Sequence, residues 1–410
     1  MTELTELTEP TDLTELTEPT DLGFKPFDAD NHYYEATDAF IRHIDPKMAQ
    51  RCMQWVQLGG KQRLLVGGKV NKFIPNPTFD PVSKPGALDA YFRGKVAGGD
   101  LRQMFGELDP ISPAYRDRDA RLALMRKQGL DAALFFPTLA VGMEESLRND
   151  IPALLAAFRA FNRWLDDDWG FDYQHAIYAA PYITLADPQW ALDELNWAIG
   201  RGVKMIVMRT APALAPRGLT RSPGDAVYDP FWARAAEANV VVAFHSGDAG
   251  YGKYLDDWEP NGDFQAFQFS ALRTMTSDRA PFDMFAVLVC HGVFSRHPGL
   301  RCASIEAGSE WVQPLLKKFK KAYSQNPGMF QKDPIQQFRD QVWVAPFYED
   351  DIRGLADAIG SDRVLFGSDF PHAEGLADPN AFIDDLHGFD SGEVKQIMRT
   401  NAFDLIGASA

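Results

Sequence analysis

Val364-Leu-Phe-Gly-Ser-Asp-Phe-Pro-His-Ala-Glu-Gly375 is a short apolar run that stops at Gly367 and sets Asp369 just beyond its end. The run reads as a buried strand of a parallel sheet, and the C-terminal mouth of such a strand is where α/β barrels keep their chemistry. Near the other end of the chain stands Phe27-Asp-Ala-Asp-Asn-His32. Asp30 and His32 are two residues apart and so share one face of a strand. Together the two stretches point to a metal site assembled from both ends of one domain.

Between them, apolar strand-like runs alternate with amphipathic helix-like stretches, the pattern of consecutive βα units around a parallel sheet. Eight candidate strands span residues 27–32, 132–138, 176–184, 203–209, 240–245, 301–306, 342–347 and 364–369. Helices are expected at 151–169, opened by Asp150 and Pro152, and at 188–199, preceded by Asp187. Eight units predict a closed (β/α)8 TIM barrel over residues 24–410. The gap between the first two strands is too long for a plain loop and must carry its own structure. Gly67-Gly68 between two strand-like runs there predicts a hairpin, and residues 45–115 are read as a cap-like insertion beside the barrel mouth. A second irregular stretch, 246–262, follows His245 and contains Tyr251, Tyr254 and Trp258.

The formal net charge is −16, but seven acidic residues lie in the first 22, leaving −9 for the rest. That balance excludes binding nucleic acid through phosphate contacts. Residues 5–13 repeat unchanged as 14–22, acidic and punctuated by proline, so residues 1–23 are expected to form a disordered tail. Three cysteines without metal-type spacing read as free thiols of a reducing compartment. No apolar stretch is long enough to span a bilayer and no signal-peptide pattern opens the chain. A cytoplasmic protein acting on a small molecule is expected, as a homo-oligomer (dimer or tetramer).

Four candidate strands end in a side chain able to bind metal: Asp30 and His32 on the first, His245 on the fifth, Glu306 on the sixth and Asp369 on the eighth. Strand ends of a closed barrel converge on one mouth, so these groups can meet. Mixed imidazole and carboxylate donors suit one divalent Zn, Mn or Fe ion. His372 stays near the mouth and is read as binding a substrate carboxylate or orienting Asp369. Arg209, after the fourth strand, either pairs with a substrate carboxylate or forms a salt bridge at the rim. Phe136, Tyr251, Trp258, Phe347, Tyr348 and Phe370 near strand ends suggest an aromatic-walled pocket. His291 and His297 precede the sixth strand, and His43, His175 and His387 carry no motif.

Residues 27–32, His245, Pro298-Gly-Leu-Arg301 leading into Ile305-Glu-Ala-Gly308, and 364–372 together resemble the amidohydrolase-related branch of the amidohydrolase superfamily. That branch includes enzymes of the aminocarboxymuconate-semialdehyde decarboxylase and γ-resorcylate decarboxylase type. The resemblance implies metal ligands at Asp30, His32, His245 and Asp369, with Asp369 and Glu306 as catalytic groups. The family's His-x-His pair falls on Asp30 and His32, and its sixth-strand histidine on Glu306. Two imidazoles are thus carboxylates in this chain, which favours harder ions such as Mn alongside Zn.

The resemblance implies carboxy-lyase chemistry on a small aromatic or unsaturated acid. A hydrolase activating water against an amide, ester or lactone uses nearly the same residues, and a metal-free binding paralogue is the reading from another class.

Overall fold

The computed structural model describes residues 22–95, 105–259 and 270–409. The expected tail therefore lies almost wholly outside the described residues. Seven parallel strands form most of a ring: β1 (Phe27–Tyr33), β2 (Ala132–Pro137), β3 (Ile177–Ala179), β4 (Met205–Arg209), β5 (Val241–His245), β6 (Cys302–Ile305) and β7 (Val342–Val344). Neighbours pair in sequence order along β1–β2–β3 and along β4–β5–β6–β7. The Tyr182–Val207 bridge joins the two sheets.

The closing segment, residues 364–370, pairs with β7 through Val364 and with β1 through Phe370. Leu365 N donates to Val344 O at 2.9 Å and Ala29 N to Phe366 O at 2.7 Å, so the ring is complete. This segment was expected as a regular strand, and the structure departs from that. The register of β1 slips between Asp28 and Asn31, and Asp369 takes a left-handed φ of 56°. An uninterrupted ladder needs extended residues on both sides, and neither side supplies them.

Glycine at 367 has a steric cause: a Cβ there would fall 2.7 Å from Asp30 Cβ. The closing segment can lie against β1 at this level only without a side chain.

Helices fill the outer layer where their sequences place apolar faces and caps. Pro188–Ile199 has the expected bounds, and Asp187 caps it by accepting from Trp190 N at 2.8 Å. Ile151–Asp168 is capped by Asp150, which accepts from Ala153 N. Trp164, Trp169, Trp232 and Trp311 are fully buried in the apolar core, and aromatic rings of this size dominate core energetics. The three cysteines are free. Among the described residues no helix is long and apolar enough to cross a membrane.

Between β1 and β2 the chain forms an antiparallel hairpin, Met53–Leu58 with Lys61–Val66, which continues through Gly67-Gly68 into Lys69–Val70. Both turns are Gly-Gly with positive φ, the backbone that tight hairpin turns require. The second turn is the one expected from sequence. The first, Gly59-Gly60, carries the same signal in a more polar context.

Candidate active site

At the C-terminal mouth of the ring, Asp30, His32, His245 and Glu306 bring one donor atom each within 4.8 Å of one another, and His32, Glu306, Asp369 and His372 do the same. Sequence reasoning singled out all six. His32 Nε2 lies 3.3 Å from Asp30 Oδ1, 3.5 Å from Glu306 Oε2 and 3.3 Å from Asp369 Oδ1. His245 Nε2 lies 3.0 Å from Glu306 Oε2 and 3.5 Å from Asp30 Oδ1. Glu306 and Asp369 reach the cluster from left-handed backbone, with φ of 49° and 56°. For residues bearing a Cβ this conformation costs roughly 1–2 kcal/mol each, and such strain concentrates at functional sites.

Asp30 Oδ1, His32 Nε2 and His245 Nε2 are buried and make no hydrogen bond. Leaving buried polar atoms unpaired is costly, so three converging on one point indicate a missing partner common to all. His245 Nδ1 contacts Ser246 O at 2.8 Å. As the carbonyl can only accept, Nδ1 carries the proton and Nε2 presents its lone pair to the cluster. The donor set, imidazole nitrogen plus carboxylate oxygen without thiolate, is that of a divalent transition-metal ion. The residues present therefore fit a metal.

Charges around the cluster respond as expected for closely packed acids. Burial disfavours a charged His32, yet the Asp30 and Glu306 carboxylates beside it push the ring up to about 9. Burial, reinforced by Glu306, Glu374 and Asp30, holds the Asp369 carboxyl well above its usual range. Burial and the neighbouring imidazoles hold His372 well below its own. His372 Nδ1 lies 2.6 Å from Asp369 Oδ1, and its Nε2 lies 2.9 Å from Thr138 Oγ1. The Thr138 hydroxyl donates to Tyr33 O at 2.8 Å, so toward His372 it accepts. A neutral His372 then donates through Nε2 and meets Asp369 with a lone pair on Nδ1, and the proton in that short bond sits on Asp369.

Several residues that build the site went unread in the sequence. Asp28 is fully buried and accepts from Ser368 N at 3.0 Å, Ser368 Oγ at 2.5 Å and Asn31 Nδ2 at 2.8 Å. It fastens β1 to the closing segment, and burial pushes it up to about 6 despite these bonds. Arg121, also fully buried, donates to Asn31 Oδ1 at 2.6 Å and to the carbonyls of His32 and Phe370. Thr138 directly follows β2, as Glu306 directly follows β6, so the same rule could have found it. Asp28 shares the alternation of Asp30 and His32.

The cluster opens into a cavity of about 870 Å³ whose lining includes His32, His245, Glu306, His372, Glu374, Thr138 and Tyr251. Arg209, Phe347 and Trp258, expected to face substrate, do not line it. Arg209 is ion-paired with Glu145, and its Nε donates to Asp248 O at 3.0 Å; this is the rim salt bridge weighed as the alternative. Phe347 is 40% exposed and Trp258 67% exposed. Phe136, Tyr348 and Phe370 are likewise not in the wall: Phe136 packs on His245 and Phe370 lies under Arg121. Of the expected aromatic residues Tyr251 lines the cavity, and the other aromatic side chains on its lining are Tyr34, Phe73, Phe79 and Phe105. His291 and His297 lie apart, against Ser222 and Asp229.

Comparison with known proteins agrees with this architecture. An amidohydrolase from Mycobacterium avium subsp. paratuberculosis K-10 is 44% identical, with a TM-score of 0.88, over 94% of this chain and 99% of that one. Two solved structures share the fold at much lower identity. One is a dihydroxybenzoic acid decarboxylase from Polaromonas sp. JS666 with manganese and 2-nitroresorcinol, at 14% identity and TM-score 0.57, over 94% of this chain and 97% of that one. The other is a 5-carboxyvanillate decarboxylase from Novosphingobium aromaticivorans DSM 12444 with manganese and 4-hydroxy-3-methoxy-5-nitrobenzoic acid, at 16% and 0.58, over 97% and 100%. The amidohydrolase family pattern matches residues 110–407, and the chain belongs to that family.

Proposed function

We propose that this protein is a metal-dependent carboxy-lyase acting on an aromatic or unsaturated carboxylic acid. One observation carries the reading: three unpartnered buried donor atoms, Asp30 Oδ1, His32 Nε2 and His245 Nε2, converge at the floor of a largely apolar cavity. Asp30, His32, His245 and Asp369 would hold the ion, with Mn or Zn best suited to these donors. When bound, the ion supplies charge that attracts the substrate carboxylate and an adjacent oxygen and stabilises charge developing as the carboxylate leaves.

The chain's own groups do the rest. Phe73 and Phe79 exclude water from the body of the acid, and the described part of residues 45–115 serves as the cap of the site. As the C–C bond to the carboxylate breaks, its electron pair stays on the substrate carbon. Asp369, backed by the His372 ring 2.6 Å away, delivers a proton to the carbon, and carbon dioxide departs. Glu306, 3.0 Å from His245, is the second candidate for the proton transfer. Manganese and aromatic ligands bound by the two distantly related decarboxylases support this reading.

Metal-reconstituted protein would be assayed with hydroxybenzoates, unsaturated acids, lactones and anilides for released carbon dioxide and for new carboxylate. Carbon dioxide from an aromatic acid, abolished in Asp369→Asn, is the expected result. Turnover of a lactone or anilide with no carbon dioxide from any acid would replace this reading with a hydrolase.

A further inference from the structure

We infer that the acid taken by this site is larger than a single ring and carries an apolar extension of at least a second ring, fused or linked. The inference rests on the site being an acid-binding one, as proposed above. Its basis is size and the distribution of chemistry over the cavity. A cavity of about 150 Å³ is enough to bind benzene. The cavity here, about 870 Å³, is roughly six times that volume, within the range of sites that enclose drug-sized ligands.

The polar groups of the cavity floor, His32, His245, Glu306, His372 and Thr138, belong to the ends of the barrel strands or the loop following the closing segment. Phe73, Ile74, Phe79, Val82 and Leu108, from between β1 and β2, and Leu255, from the stretch after β5, present a wall that is mostly apolar, interrupted by Asn76, Ser83, Asp248, Thr276 and Ser277. A one-ring acid seated on the floor would leave much of that wall facing water, whereas a fused or linked second ring would cover it and gain the free energy of apolar burial. Among the described residues Arg273 is the one lysine or arginine on the lining. Its guanidinium is held by Asp256 at 2.7 Å and by the Glu259 carbonyl at 3.3 Å. The wall thus favours an apolar extension over a second carboxylate.

The test compares 2-hydroxybenzoate with 1-hydroxy-2-naphthoate, binding each to the full-length, manganese-loaded protein by titration calorimetry. The naphthoate is expected to bind at least about tenfold more tightly. Val82→Trp, which fills the cavity from the wall, is expected to erase that preference while the benzoate still binds; Ser83→Trp serves the same purpose if the first variant does not fold. Equal affinities, or a preference for the naphthoate that survives in a folded wall variant, would overturn the inference. Release of carbon dioxide is scored separately on both acids. Its absence from both strikes the carboxy-lyase reading and leaves the size order standing, whereas tight naphthoate binding without wall sensitivity does the reverse.

Discussion

The floor and the wall of the cavity are built on different principles. Floor residues stand at the ends of β1, β5 and β6 and in the closing segment, where paired backbone fixes each Cα. His32 and His245 are 0% and 3% exposed, and the carboxylates of the cluster lie 3.0–3.5 Å from their Nε2 atoms. Wall residues at 73–83, 105–108 and 246–255 come mostly from irregular chain between elements. Only Val82–Ser83, Leu108–Asp109 and the short helix Gly252–Asp256 give that region regular structure. Reaction chemistry is thereby tied to the most constrained backbone, and choice of substrate to backbone that tolerates change. Family membership, shown over residues 110–407, says little about which substrate the wall selects.

The most direct way to break this division is to remove a floor residue and a wall residue and compare what each loses. His245→Ala is expected to weaken manganese binding more than about 100-fold, beyond what loss of an outer hydrogen-bond partner gives. Equilibrium dialysis followed by metal analysis reads this without any substrate. Phe73→Ala should leave metal affinity within about twofold, because its ring packs against Gly142 and touches no donor of the cluster. Comparable metal loss in the two variants would end the distinction.

Gly367→Ala sharpens the point from the backbone side. Its methyl group would meet Asp30 Cβ at 2.7 Å, and overpacking of a filled site costs about 1–3 kcal/mol. Denaturant unfolding should show that loss, and metal affinity should fall with it because Asp30 is the atom group displaced. Full metal affinity in a destabilised Gly367→Ala protein would mean that Asp30 is not a ligand.

Thr138→Val removes the hydroxyl that accepts from His372, and a loss of about tenfold in metal affinity is expected, recovered in Thr138→Ser. Equal behaviour of the valine and serine variants would show that Thr138 only fills space.

The same division governs what the sequence discloses. Asp30, His32, His245, Glu306 and Asp369 were legible because strand periodicity and the convergence of strand ends turn one-dimensional positions into a three-dimensional cluster. Most strands lie within two residues of their expected bounds, and the helix at 188–199 matches fully because Asp187 and Pro188 mark its start. The wall was not legible. Proximity to a strand end suggested Phe347, Trp258 and Arg209, but loop residues have no period to say which way a side chain points. Phe73 and Phe79 lie some forty residues beyond β1, and their return over the mouth depends on tertiary contacts such as the tilted packing of Phe79 on Tyr34, 4.7 Å between ring centres. Asp28 and Arg121 were missed for a different reason: they bind backbone and side chains of other elements, and a sequence does not list those partners.

Glu35 joins the two regions and gives the smallest of these effects. It follows β1, is 1% exposed, and accepts from Leu139 N and Ala140 N at 2.9 Å just after β2. Burial outweighs those bonds and pushes its carboxyl up to about 7. The folded protein therefore keeps a proton on Glu35 that the unfolded chain releases near 4.5. Where the native state binds more protons, stability falls as pH rises. The contribution is present at low pH and is lost as pH climbs from the unfolded value through about 7. Between pH 6 and 8 that loss is about 1 kcal/mol. Glu374 and Asp28 are raised in the same direction, so Glu35→Gln, neutral at every pH, should flatten only part of the slope in denaturant midpoints measured across this range. An unchanged slope would show that Glu35 is ionised in the folded protein, with its charge carried by the two backbone amides and the joint between floor and wall held electrostatically rather than by a neutral hydrogen bond.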